Sequence, residues 1–500
     1  MDIFANLALG FGVAFSPVNL GLCLIGALVG TLVGVLPGIG TIATVAMLLP
    51  ITFGLPPVGA LIMLAGIYYG AQYGGSTTSI LVNIPGEASS VVTTLDGHQM
   101  ARQGRAGPAL AIAALGSFFA GCVSTVMVAA LGAPLTSIAL AFGPAEYFSL
   151  MVLGLVFAVV LAKGSVLKAI AMIMLGLLLS MIGSDIETGQ SRMGFNIPEL
   201  ADGIGFVVVA MGMFGFGEIM RNLEQSDTRD VVKAKVTGLM PTWPDLKASA
   251  GPIGRGTALG SILGILPGGG AVIAAFAAYT FEKKIAKDPS RFGRGAIEGV
   301  AAPESANNAA AQTSFIPLLT LGIPPNAVMA LMVGAMTIHG IIPGPQVMLK
   351  QPDLFWGMIA SMWIGNLMLI VINLPMIGFW VRLLRVPYRM LFPAILIFCC
   401  IGVYSINNSP TDVIMTAAFG LVGYWLVKHD FEPAPMLLGF VLGPLMEENL
   451  RRAILIARGD PMTFFTRPIS GGLLAVAILL LVIAILPMIR TRREEVFVED

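Results

Sequence analysis

The sequence predicts an all-α polytopic membrane protein, with about 11–14 membrane segments and two internal repeats whose helices are interrupted or re-entrant. Three observations carry this expectation. Charged residues make up 11% of the 500 and hydrophobic residues 56%, with a mean hydropathy of +0.87. A soluble domain carries about 25% charge, so this exterior must be largely apolar and face lipid. Glycine (60) and proline (32) together are roughly 18% of the chain, against about 12% on average. Finally, residues 26–40 and 256–270 resemble each other without a gap.

The same numbers exclude other classes. Lys and Arg (28) balance Asp and Glu (28), and no basic face for nucleic acid stands out. Cys23, Cys122, Cys399 and Cys400 form no C-x-x-C pair and read as small buried hydrophobes. His98, His339 and His429 lack ligand spacing, so no metal site is expected. There is no G-x4-G-K-[ST] phosphate loop, G-x-S-x-G elbow or H-E-x-x-H motif, so neither ATP-driven work nor hydrolysis is expected, and no cofactor. The N-terminus has no basic n-region, so the first span is expected to serve as its own insertion signal.

Apolar runs of about 20 residues give the candidate spans. In order they are 17–53 (interrupted), 57–74, 76–95 (interrupted), 108–132, 146–162, 164–183, 201–220, 256–281 (interrupted), 298–340 (interrupted), 355–384, 388–405, 411–427, 432–446 and 470–489. Basic residues orient them. Arg102 and Arg105, the stretch 221–255, the stretch 282–297 and the tail with Arg490 are predicted cytoplasmic by the positive-inside rule. The acidic stretch 184–203 then lies outside. Because 256–281 sits between two basic stretches, a hairpin turning at Leu266-Pro267-Gly268-Gly269-Gly270 is expected, which keeps both on one side. The domain division is 1–220 as first repeat, 221–255 as cytoplasmic linker, 256–465 as second repeat, and 466–500 as final helix and tail.

The repeat is GALVGTLVGVLPGIG at 26–40 against GTALGSILGILPGGG at 256–270. Gly26, Gly30, Gly34, Leu36, Pro37, Gly38 and Gly40 match Gly256, Gly260, Gly264, Leu266, Pro267, Gly268 and Gly270. Glycines four apart leave a groove for a close helix. Leu-Pro-Gly-x-Gly then removes a backbone donor and ends the helix. A packing face followed by an ordinary loop explains the glycines, but not the recurrence of the break. A weaker correspondence sets Thr78-Ser79 and Ile84-Pro85-Gly86-Glu87-Ala88 against Thr313-Ser314 and Ile323-Pro324-Pro325-Asn326-Ala327.

Irregular backbone at membrane depth is costly unless it lines a cavity, and paired broken helices are a mark of secondary transporters. Polar side chains gather at the breaks: Thr41, Ser76, Thr77, Asn83, Glu87 and Ser89 in the first half, and Glu304, Ser305, Asn307, Asn308, Thr313, Ser314 and Asn326 in the second. Each Ser, Thr or Asn alone reads equally well as a helix–helix or i−4 hydrogen bond. These stretches hold no Lys or Arg, so an anion there is expected to be held by helix ends, amides and a co-bound cation. Glu146 and Glu218 read as interfacial, and Asp412 as an N-terminal cap.

GVLPGIG at 34–40, GILPGGG at 264–270, YYGAQYGGSTTSILVNIPGEASS at 68–90, EGVAAPESANNAAAQTSFIPLLTLGIPPN at 298–326 and GPLMEENLRRA at 443–453 together resemble the large membrane subunit of the tripartite tricarboxylate transporters, over nearly the whole chain. The resemblance implies a multi-pass subunit of the bacterial inner membrane that takes up citrate or other carboxylates by symport. It implies a driving gradient of Na⁺ or H⁺, a small four-span membrane subunit, a periplasmic solute-binding protein and an elevator-like architecture. Its matching residues are the Leu-Pro-Gly-x-Gly breaks, Asn83 to Ser89 and Ala302 to Asn308. A channel is the alternative function; a membrane scaffold would leave the polar clusters unexplained.

Overall fold

The computed structural model describes residues 3–36, 40–162, 165–185, 188–224, 238–266, 270–384 and 388–485. Pro37, Gly38, Pro267, Gly268, much of the expected linker and the basic tail lie outside the described residues. Among the described residues helices and the loops joining them make up the chain, with one two-stranded pairing of Gly183–Ser184 with Ser191–Arg192. Five helices are long and apolar enough to cross a membrane: Pro17–Val35, Ala106–Ala139, Pro352–Asn373, Pro410–Lys428 and Pro468–Ile485. Shorter apolar helices such as Thr41–Thr52, Val166–Ser180 and Ala327–Ile338 accompany them. Large apolar side chains stand on the outside, with Ile414, Leu421 and Trp425 exposed on one helix and Ile478, Leu479 and Ile485 on another. That is the lipid-facing exterior the low charge calls for.

Four chain breaks punctuate the fold. Helix Pro17–Val35 stops before helix Thr41–Thr52, and helix Pro57–Val82 stops at Asn83, whose φ of 60° is left-handed. Helix Trp243–Ile265 stops before Gly270–Ile285, and Phe315–Leu321 stops before Ala327–Ile338.

The paired glycine faces do the same packing in both places. A Cβ at Gly26, Gly30 or Gly34 would lie 2.3–2.4 Å from the carbonyl oxygens of Met63, Ile67 and Ala71 on helix Pro57–Val82. A Cβ at Gly256 or Gly260 would lie 2.2–2.3 Å from the carbonyls of Ala302 and Ala306 on helix Glu298–Thr313, and one at Gly264 would meet Ala310 and Thr313. Backbones at this distance admit only glycine, and the contact is van der Waals packing along the whole helix face.

Two expectations are corrected. The spans 57–74 and 76–95 are not separate: one helix runs from Pro57 to Val82. Gly66, Gly70 and Gly74 are not breakers there, because each faces the backbone of residues 23–35 on the neighbouring helix. The stretch 221–255 is not all linker, since helix Trp243–Ile265 begins inside it, capped by Thr242 and Asp245.

Arg255 and Glu282 pair at 2.6 Å from opposite arms of the break near 267, so Trp243–Ile265 and Gly270–Ile285 fold back on each other as a hairpin. The first break differs: helix Thr41–Thr52 leans on Pro57–Val82, on Ala327–Ile338 and on the helix Tyr388–Asn407. Two π-helical segments, Thr94–His98 and Met211–Phe216, widen the helices that carry Asp96 and Glu218, and such bulges are frequent at functional positions.

Candidate functional site

A cavity of about 770 Å³ lies where the breaks meet. Its wall includes the first turns of five helices: Ile42, Ser165 and Lys168, Gly270 to Val272, Asn326 to Val328, and Pro433 with Pro435. A helix N-terminus carries roughly half a positive charge, and here some of the N–H groups already have acceptors, that of Thr41 in Glu87 and that of Met329 in Asn326. Tyr68 and Gln72, four residues apart on helix Pro57–Val82, supply hydroxyl and amide groups, and Ser89 donates to Oε1 of Gln72 at 2.5 Å. Asn326 caps its own helix by accepting from the Met329 N–H at 3.0 Å, and its Nδ2 lies 3.4 Å from the Tyr68 hydroxyl.

The cavity also holds two cations, contrary to the expectation that an anion there would meet none. Lys168 and Arg221 line it, brought from segments far from the breaks in sequence. Nζ of Lys168 donates to the His429 carbonyl at 2.7 Å, lies 3.8 Å from Asp430, and sits over the Phe431 ring at 5.1 Å.

Two carboxylates crown the start of helix Thr41–Thr52. The Thr41 N–H donates to Oε1 of Glu87 at 2.8 Å, and the Thr41 hydroxyl donates to the same oxygen. Glu218 comes from the other side, so close that a Cβ on Gly40 would lie 2.9 Å from its Oε1. Glu218 thus reaches the start of helix Thr41–Thr52, on the far side of Gly40 from Glu87. Neither repeat context nor motif marks it in the sequence; the π-helical segment Met211–Phe216 ends just ahead of it.

A second polar cluster lies deeper. Glu304 is 0% exposed and accepts from the hydroxyls of Ser76 and Thr93 and from Nδ2 of Asn307 at 3.3 Å. Asn308 donates from Nδ2 to Ser117 at 2.7 Å, to the Glu304 carbonyl at 3.1 Å and to Oδ1 of Asn307 at 2.6 Å. Ser76 thus ties the first-half helix to the second-half carboxylate.

The expected residues divide accordingly. Thr41, Glu87, Ser89, Gly270 and Asn326 stand at the cavity. Ser76, Glu304, Asn307 and Asn308 form the deeper cluster, and Thr77 is buried beside Ser76. Ser305, Thr313 and Ser314 donate to carbonyls of their own helix, so the bland i−4-type role describes their hydroxyls. Gly86 is wedged against the backbone of Gly34 and Gly75, and Pro324 is buried in the break, while Asn83 and Pro85 are exposed. Glu146 accepts from the Gly143 N–H and pairs with Arg467 at 2.5 Å, whereas the cap ahead of Asp412 is Ser409.

A many-helix membrane protein with broken helix ends pointing into a ligand-sized chamber is the class this architecture defines. Within it, the chain belongs to the tripartite tricarboxylate transporter TctA family, whose profile matches residues 20–438. That family consists of components of tripartite transporters that work with a binding protein and a small subunit. The chain is 61% identical, over all 500 residues of both, to an uncharacterized 52.8 kDa protein in the TAR-I ttuC′ 3′ region of Agrobacterium vitis. A second uncharacterized protein of that organism, from the TAR-II ttuC′ 3′ region, is 63% identical over 241 residues, which is 48% of this chain and all of the relative. No solved structure matches.

Proposed function

We propose that the chain is the permease subunit of an ion-gradient-driven system that takes up tricarboxylates or related organic acids by symport across the bacterial inner membrane. A periplasmic binding protein delivers the substrate, and a small four-span subunit completes the membrane part. The observation that carries this reading is the cavity: several helix N-termini, Lys168 and Arg221 face one space of about 770 Å³, while acids gather at its rim. An organic polyanion is the ligand that such a field favours.

The two halves, 1–220 and 256–465, are read as repeats on the strength of their matched breaks and matched glycine packing. In an elevator-like cycle the broken elements would carry the cavity relative to the rest of the bundle. The experiment is uptake of labelled citrate by proteoliposomes containing the subunit and its two partners. Lys168→Ala and Arg221→Ala are each expected to raise KM about tenfold, the cost of one charge-assisted hydrogen bond. Unchanged KM in both would remove the cavity from the account.

A further inference from the structure

A second, much smaller cavity is separate from the first. It is a space of about 10 Å³, whose wall combines the buried polar side chains of Tyr73, Ser76, Thr77, Ser117 and Asn373 with as many apolar ones. That volume accommodates one water-sized sphere. Ser76 also donates to the Glu304 carboxylate, and Ser117 accepts from Asn308, so the lining is continuous with the deeper cluster.

Oδ1 of Asn373, in the wall of this space, has no partner among the described residues, and neither has Oδ1 of Asn308, a residue that lies outside the wall and donates from Nδ2 to Ser117. Their orientations are fixed. Nδ2 of Asn373 donates to the Leu369 carbonyl at 2.9 Å, and Nδ2 of Asn308 donates to the Glu304 carbonyl at 3.1 Å. A carbonyl can only accept, so in each amide the oxygen is the atom left over. An orphaned buried acceptor costs about 1–3 kcal/mol, and Asn373 borders the space directly.

The field points the same way. Asn373 is the last residue of helix Pro352–Asn373, and Leu374, just past its end, also lines the cavity. A helix C-terminus is the negative end. Behind Ser76 lies a fully buried carboxylate that accepts from neutral hydroxyls and an amide. Hydroxyl and amide oxygens with a nearby carboxylate are the donor set of a hard cation.

We infer that the space bounded by Ser76, Thr77, Ser117 and Asn373 holds one dehydrated monovalent cation, Na⁺, whose charge is balanced by Glu304. This deepens the proposed function and rests on it, since it gives the driving ion a place. A water in the same space would satisfy the orphaned oxygens without the selectivity. The cation also gives the break between Asn83 and Glu87 a reason to respond to Na⁺, because Ser76 lies on the helix that leads into it.

The test is thermal unfolding of the purified full-length chain in detergent, with NaCl exchanged for KCl or choline chloride at constant ionic strength. Na⁺ is expected to raise Tm saturably, and K⁺ and choline are not. Asn373→Ala and Glu304→Gln should each weaken the apparent Na⁺ affinity about tenfold or more, the fold-change of one lost charge-assisted contact. Thr77→Val, which keeps the shape and removes one oxygen, should weaken it with the fold intact. The absence of a Na⁺-specific shift in the unsubstituted protein overturns the site, as does a full shift in Thr77→Val together with either other variant. Proton-driven citrate uptake with no Na⁺ response would leave the permease function standing and remove this site. Na⁺ binding without any carboxylate uptake would do the reverse.

Discussion

The N–H of Thr41 points at Oε1 of Glu87 from 2.8 Å, and the hydroxyl of the same threonine reaches the same oxygen. This joins the two breaks of the first half. The residue that closes the second break neutralises the free N-terminus of the helix that follows the first. Glu87→Ala should therefore lower unfolding stability by about 1–3 kcal/mol, leaving the N–H groups of helix Thr41–Thr52 without an acceptor. Glu87→Gln retains an acceptor oxygen and should lose less than half as much. Thermal unfolding in detergent checks both, and an unshifted Tm in Glu87→Ala would contradict the contact.

Helix packing makes a sharper prediction. Gly260→Ala places a methyl 2.2 Å from the Ala306 carbonyl and Gly30→Ala places one 2.4 Å from that of Ile67, so both should abolish monodisperse protein or lower Tm steeply. Gly21→Ala lies on the same helix as Gly30 but meets nothing within 4 Å, and should be neutral or slightly stabilising. Size-exclusion profiles of the three variants decide this; equal behaviour would overturn the close approach.

Asp96 ties the first half of the chain to the second. Its Oδ1 accepts from the N–H groups of Gly293, Gly295 and Ala296 at 2.8–2.9 Å, and its Oδ2 from the Tyr279 hydroxyl at 2.9 Å. Asp96→Ala should free the stretch 288–297, raising its cleavage by protease several-fold and costing about 1–3 kcal/mol for each acceptor contact not replaced by water. Protection equal to the unsubstituted chain would show that the stretch is held by other contacts.

The cap of helix Trp243–Ile265 should carry a weak pH signature. Burial raises the Asp245 carboxyl, but the Thr242 hydroxyl and N–H and the Arg105 guanidinium at 2.5 Å outweigh it, leaving the group below its usual value. A depressed carboxyl contributes stability above its unfolded value of about 3.9 and loses it as pH falls through the folded value. Asp245→Asn should thus flatten the acid limb of the Tm–pH curve below about pH 4 and lower Tm near neutrality. An unchanged acid limb would contradict the cap.

The legible part of this protein is what composition and local chemistry encode. Low charge set the lipid-facing exterior, and Gly-x3-Gly faces before Leu-Pro-Gly set where helices pack and stop. Helices Trp243–Ile265 and Gly270–Ile285 fold back on each other, and Arg255 pairs with Glu282 across them. The continuity of helix Pro57–Val82 was hidden because glycines in a membrane helix look the same whether they break it or serve a neighbour. Lys168, Arg221 and Glu218 were not legible as site residues. They come from helices outside the breaks, and only tertiary packing carries the two cations to the cavity and Glu218 to the start of helix Thr41–Thr52. Asn373 escaped for the same reason: a single asparagine at a helix end has no sequence signal until its oxygen is found without a partner.

The central claim is that an ion gradient drives carboxylate through this cavity. The direct measurement is the final internal concentration of labelled citrate in sealed proteoliposomes containing the subunit, its small partner and the binding protein, with an imposed inward Na⁺ or H⁺ gradient. The account predicts accumulation well above the external concentration, collapsing when an ionophore dissipates the gradient. Rapid equilibration to equal concentrations, indifferent to either gradient, would contradict it and leave a channel in its place.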